Sequence, residues 1–68
     1  MENSYQVIYR DDNKWVVKKT GSKRATKSFE TRKAAIIYGK KLMNKEKSKL
    51  FIHNSYGMVD NMYDYAFQ

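Results

Sequence analysis

The side chains able to do chemistry in this chain are mostly cationic. Arg10, Lys14, Lys18, Lys19, Lys23, Arg24 and Lys27 fall within eighteen consecutive residues. Such a run can neutralise several phosphates, each contact adding roughly −0.9 to the log-log salt slope on duplex DNA. The competing reading is a solvated face that keeps a small protein dispersed. Acid–base chemistry has little to work with. His53 is the only histidine, so a histidine metal cluster is excluded, and its nearest acids in sequence, Asp60 and Asp64, lie beyond a turn. His53 with Asp60 would form a base and its orienting partner, but no nucleophile or oxyanion loop accompanies them. Asp11 and Asp12 are adjacent carboxylates where a turn wants them. Gly21, Gly39 and Gly57 are never clustered, so there is no phosphate-cradling loop. The expectation is a protein that is not an enzyme and has no cofactor or metal.

The rest of the composition bounds what can position these groups. The chain has 68 residues, no Cys and no Pro, so it offers one domain, 1-68, with no thiolate metal site and no disulfide. A domain of this size buries only about 60% of its unfolded surface. A hydrophobic share of 41% with 15% aromatics is still too rich for disorder. The formal charge is +7, and it is uneven. Residues 13 to 49 hold thirteen Lys or Arg against Glu30 and Glu46, for +11, while residues 1 to 12 and 50 to 68 each carry −2. The N-terminus has no basic stretch followed by an apolar run, so no secretory signal is read there. The longest apolar stretch, Ala34 to Tyr38, is far short of the roughly 20 residues of a membrane span. A cytoplasmic location is the expectation.

Alternation over Tyr5 to Arg10 predicts a strand, with Trp15 to Lys18 as its partner and Asp11-Asp12-Asn13 as a three-residue loop. That register pairs Tyr9 with Trp15 and Val7 with Val17. It gathers Tyr5, Val7, Tyr9, Trp15 and Val17 on one face and leaves Gln6, Ile8, Arg10, Lys14, Val16 and Lys18 on the other. Thr20-Gly21-Ser22 is a second turn, around which Lys19, Lys23, Arg24 and Lys27 cluster, and Arg24 to Phe29 is a short third strand. Thr31 has the chemistry of a helix N-cap, and Arg32 to about Lys47 contains good helix formers. At 100° per residue Ala35, Ile36, Tyr38, Gly39, Leu42 and Met43 share one arc, with small Ala35 and Gly39 near its centre and Ile37 as the misfit. Lys49 to His53 reads as a strand, Asn54-Ser55-Tyr56-Gly57 as a type I turn, and Met58 to Asn61 as the returning strand. The aromatic tail from Met62 should pack on the domain or on a second copy. The fold class is therefore α+β: an antiparallel sheet of four or five short strands with one helix packed on one face, in the order ββ(β)αββ.

Trp15, Tyr5 and Tyr9 can be base-stacking platforms or core residues, and the apolar face favours core; Tyr56, at a turn tip, is the freer ring. Ile8 and Val16 can touch sugars or thymine methyls, or lie beneath the tail or a second copy.

Four segments, Asn13-Lys14-Trp15-Val16-Val17-Lys18, the Lys23-Arg24-Ala25 step, Ser28 to Ile36, and Phe51 to Val59, follow one order. Together they resemble a small uncharacterised bacterial and phage family, domain of unknown function 2188. Its members show a W-x-V strand, an F-x-T-x-x-x-A helix entry and a final V-H-x-x-x-G-x-V hairpin. The resemblance implies a compact α+β fold and no assigned activity. A shorter stretch, residues 13 to 45, is similar to the arm-binding N-terminal domain of phage integrases, in which a three-stranded sheet enters the DNA major groove. The chain departs from that domain by its C-terminal hairpin.

Two functions follow as expectations. One is an accessory protein binding DNA or RNA through Arg10, Lys14, Lys18, Lys19, Lys23, Arg24 and Lys27. The other is a protein-interaction module, a homodimer or a phage-encoded modulator of a host protein, using Ile8, Val16, Ile37, Tyr63, Tyr65 and Phe67.

Overall fold

A computed structural model describes residues 4–67, Phe67 by its backbone alone. In chain order the elements are β1 (Ser4–Tyr9), β2 (Trp15–Lys19), β3 (Ala25–Phe29), α1 (Arg32–Glu46), β4 (Lys49–His53) and β5 (Val59–Asp64), followed by a 3-10 turn, Tyr65–Phe67. The five strands form one sheet in the order β3-β2-β1-β4-β5.

The first hairpin has the expected register: Tyr9 faces Trp15 and Val7 faces Val17. Asn13 takes the left-handed conformation at φ 65°, and the Arg10 N–H donates to the Lys14 carbonyl at 2.8 Å to close the three-residue loop. β3 returns antiparallel to β2, with Trp15 opposite Phe29 and Thr26 as the extra residue of a bulge. Thr31 caps α1, its Oγ1 accepting from the Ala34 N–H at 3.1 Å. At the other end Lys47 closes the helix in the left-handed region at φ 52°.

One expectation is corrected: the sheet is mixed, because β1 and β4 pair in parallel. The reason is parity. Two hairpins place β1 and β3 on either side of β2, so β1 and β3 run the same way and both flanks of β2 are occupied. A chain leaving β3 reverses once into α1 and again into β4, so β4 runs with β1 and β3 and can join the sheet only beside one of them. It joins β1, which becomes the central strand, and Val7 on it is fully buried.

β5 is also longer than the pattern suggested. Its turn is as expected, the Gly57 N–H donating to the Asn54 carbonyl at 3.0 Å with Gly57 at φ +86°. The first part of the aromatic tail then continues the strand, with Met62 opposite Phe51 and Tyr63 opposite Leu50. Tyr63 thereby packs on the core.

That core is Tyr5, Val7, Val17, Leu50 and Ile52 from the sheet with Ala35 and Met43 from α1, ringed by Trp15, Phe29, Ile36, Tyr38, Leu42 and Tyr63. The predicted helix stripe is thus the buried one. Gly39 lies directly on Leu50: a Cβ there would stand 2.9 Å from Leu50 Cδ1. The face of the sheet away from α1 carries the alternate residues of each strand, including Gln6, Ile8, Val16, Lys18 and Phe51.

Candidate nucleic-acid interface

The strands place the charged residues at two ends of the sheet. One end holds the β1–β2 loop, the entry to α1 and the β4–β5 turn. All three ion pairs found among the described residues lie there: Arg10 with Asp12 at 2.7 Å, Lys14 with Glu30, and Arg32 with Asp60 at 2.9 Å. Arg10 grips Asp12 with two nitrogens, Nε reaching the second oxygen at 3.0 Å. The hydrogen bond from Arg10 holds the Asp12 carboxyl below its ordinary range, and the same bond raises Arg10. Asp60 is the extra residue of a bulge in β5, which lets it reach the Arg32 guanidinium while Asn54 Nδ2 donates to its other oxygen at 3.3 Å.

The opposite end is basic. Tyr5 pairs with Lys19, Ser4 with Lys49 and Lys18 with Ala25, so these strand ends meet the β2–β3 turn there. The C-terminus of α1 arrives at the same end, because Ser48, which joins it to β4, both donates to Met43 and accepts from the Tyr65 N–H. Lys18, Lys19, Lys23, Arg24, Lys45, Lys47 and Lys49 lie at that end, with Glu46 and Asp64 as the acids there among the described residues. Among the described residues, Lys18, Lys19, Lys23 and Arg24 have no acidic partner within ion-pair distance. The turn that presents two of them is ordered by Ser22, whose Oγ accepts from the Arg24 N–H and donates to the Arg24 carbonyl, both at 3.2 Å.

The seven cations singled out in sequence are therefore divided. Arg10 and Lys14 sit at the ion-paired end. Lys18, Lys19, Lys23 and Arg24 come together at the basic end. Lys27 lies on the helix side of β3, its Nζ 5.5 Å from the ring centres of Phe29 and Tyr38. Among the apolar candidates, Val16 is only 5% exposed within the single chain, and Ile8 is half-buried. Ile37 is 50% exposed on the outer side of α1. Tyr63 is half-buried, with Lys40 Nζ 4.3 Å from its ring centre. Tyr65 is exposed, and the Phe67 side chain lies outside the described residues.

The aromatic candidates divide too. Tyr5 is buried, Trp15 packs on the core with Tyr9 at 4.9 Å between ring centres, and Tyr56 is exposed. His53 does not meet Asp60: its Nδ1 lies 3.1 Å from the Val7 carbonyl, which can only accept, so that nitrogen carries the proton and donates. No group of three or more His, Asp or Glu able to hold a metal occurs among the described residues, and no helix there is long and apolar enough to cross a membrane.

Sequence reasoning missed that Lys45, Lys47 and Lys49 share the end of the sheet that carries the β2–β3 turn, because only the crossing of α1 and the parallel pairing of β4 with β1 bring them to that end. It also left Phe51 unassigned. Alternation alone gives its direction once Leu50 and Ile52 are recognised as core.

No curated protein and no solved structure matches the chain. A family model does match, over residues 5–65, and carries the description "Uncharacterized protein conserved in bacteria (DUF2188)". That match takes in every strand and the helix, from Tyr5 in β1 to Tyr65 just after β5. The chain is a member of this family of bacterial proteins, domain of unknown function 2188.

Proposed function

We propose that the protein is a non-enzymatic accessory protein that binds nucleic acid at the basic end of its sheet. The supporting observation is the separation of charge. The ion pairs neutralise one end, while Lys18, Lys19, Lys23 and Arg24 stand without acidic partners among the described residues at the other. Unpaired cations converging on one surface attract polyanions and release their counterions on contact. Lys45 and Lys47 extend that surface and also complement the negative end of the α1 dipole.

The test is a titration of labelled duplex and single-stranded DNA over a series of salt concentrations. Binding should weaken steeply with salt, and Lys23→Glu with Arg24→Glu should flatten the log-log slope by about 0.9 per lost phosphate contact on duplex. Absence of binding at low salt rejects the proposal.

A second reading, a protein-interaction module, is favoured by one observation. Val59 and Met62 on the edge strand β5, with Met58 before it, are all exposed. An edge strand that exposes apolar side chains and carries no Pro or Lys is open to pairing with another chain, although Asp60 and Asp64 in β5 are charged. Sedimentation would report self-association, and Val59→Lys should abolish it without unfolding the monomer.

A further inference from the structure

We propose that the face of the sheet turned away from α1 is a platform for single-stranded nucleic acid, with Phe51 as the ring on which a base stacks. This rests on the nucleic-acid reading above and narrows it.

Strand pairing sets four side chains in one row across the sheet. Lys18 is opposite Gln6, Gln6 is beside Phe51, and Phe51 is opposite Met62. Their chain neighbours Val17, Val7, Leu50, Ile52 and Tyr63 belong to the core, so alternation turns all four away from α1. The row offers, in order, an ammonium with no acidic partner among the described residues, an amide able to donate and accept, an aromatic ring and a soft thioether. These are the groups that hold a phosphate, read a base edge and cover a base face.

The placement of Phe51 is the discriminating fact. The other aromatics of the strands, Tyr5, Tyr9, Trp15, Phe29 and Tyr63, lie on the helix side and pack there. A strand with one face in the core should carry polar residues on the other. Ile8 and Val16 also break that rule on this face, but Phe51 is its aromatic ring, stands at the centre of the row between β1 and β5, and is half-buried where Val16 is buried.

Charge complementarity names the occupant. The row begins at Lys18, opposite Ala25 at the foot of the turn that carries Lys23 and Arg24, which suits a phosphate backbone approaching from the basic end. A ring on a sheet face cannot reach bases stacked inside a duplex, whereas a single strand splays its bases outward.

The experiment compares binding of a labelled oligothymidylate, an oligouridylate and a mixed-sequence duplex at one low salt concentration, followed by fluorescence anisotropy. The wild-type protein should prefer the single strands, with the two homopolymers distinguishing DNA from RNA. Phe51→Leu should weaken single-strand binding about tenfold while leaving duplex binding unchanged, since the stacking contact with one base is lost. Phe51→Tyr should retain the affinity. Met62→Glu, at a position already 49% exposed and so harmless to the core, should weaken the same binding by charge repulsion. Trp15 emission, from the opposite side of the sheet, reports that each variant is folded.

If Lys23→Glu with Arg24→Glu weakens binding while Phe51→Leu and Met62→Glu do not, the platform is rejected and the basic end stands. If the wild type binds none of the three probes, both fall together. If Phe51→Leu instead removes self-association and spares single-strand binding, the face is an interface between copies and the platform is rejected.

Discussion

Single residues in this protein act through what they press against. Gly39 is the clearest case, because replacing it would improve helix propensity by about 1 kcal/mol while forcing a methyl group onto Leu50, which is fully buried. Overpacking a closed core costs roughly 1–3 kcal/mol, so the contact wins. Gly39→Ala should lower stability by about 1 kcal/mol in urea denaturation, and an unchanged or raised midpoint would show that Leu50 has room to turn. Arg10 and Asp12 form an exposed pair of another kind. The guanidinium depresses the carboxyl, so the pair's stabilisation is present above the ordinary carboxylate range and is lost as pH falls through the lowered value. Arg10→Ala should return the Asp12 titration upward, as followed by NMR of its carboxyl carbon. The stability difference between wild type and variant should exist at neutral pH and vanish in acid.

At the scale of elements, α1 is held by its ends as well as by its buried stripe. Its first turn contains no acidic residue, so the Thr31 cap is the main local source of satisfaction for the free amides there. Thr31→Ala should cost about 1 kcal/mol, and Thr31→Asp should restore it, as measured by thermal unfolding. The two hairpins are specified differently. The first depends on Asn13 adopting the left-handed region and on parity between its two strands. The second is closed by Asn54, whose Oδ1 accepts from the Tyr56 and Met58 N–H groups at 2.9 and 3.1 Å, together with Gly57.

Across the whole molecule the decisive feature is the separation of ion-paired and unpaired cations. Arg10 and Lys14 belong to the same run of sequence as Lys23 and Arg24, but they are neutralised at the far end of the sheet. The salt-dependent titration should therefore discriminate between them. Lys14→Glu should leave the slope for nucleic acid almost unchanged, whereas Arg24→Glu should reduce it by about 0.9 on duplex. Equal effects from both would mean that net charge alone drives binding. The two edges of the sheet differ as well: β3 is polar and carries Lys27, a guarded edge, whereas β5 exposes Val59 and Met62.

Much of this could be read from the chain alone, because local rules decide local structure. The register of the first hairpin, the Thr31 cap, the Ala35 to Met43 stripe and the Asn54 to Gly57 turn each depend on residues a few positions apart, where turn chemistry and periodicity act directly. The basic run was equally visible as a run. Its division into a paired and an unpaired half was not, since Lys14 meets Glu30 only once β2 and β3 are paired, and Lys47 reaches the basic end of the sheet only after α1 has crossed it. Nor did the pattern by itself declare β1 and β4 parallel, although strand parity would have required it once β2 was recognised as flanked on both sides. The sequence determined the elements and the sign of the charge; the tertiary structure decided which charges cancel and which ring, Phe51, is left facing outward, because both depend on distances between residues that are remote in the chain.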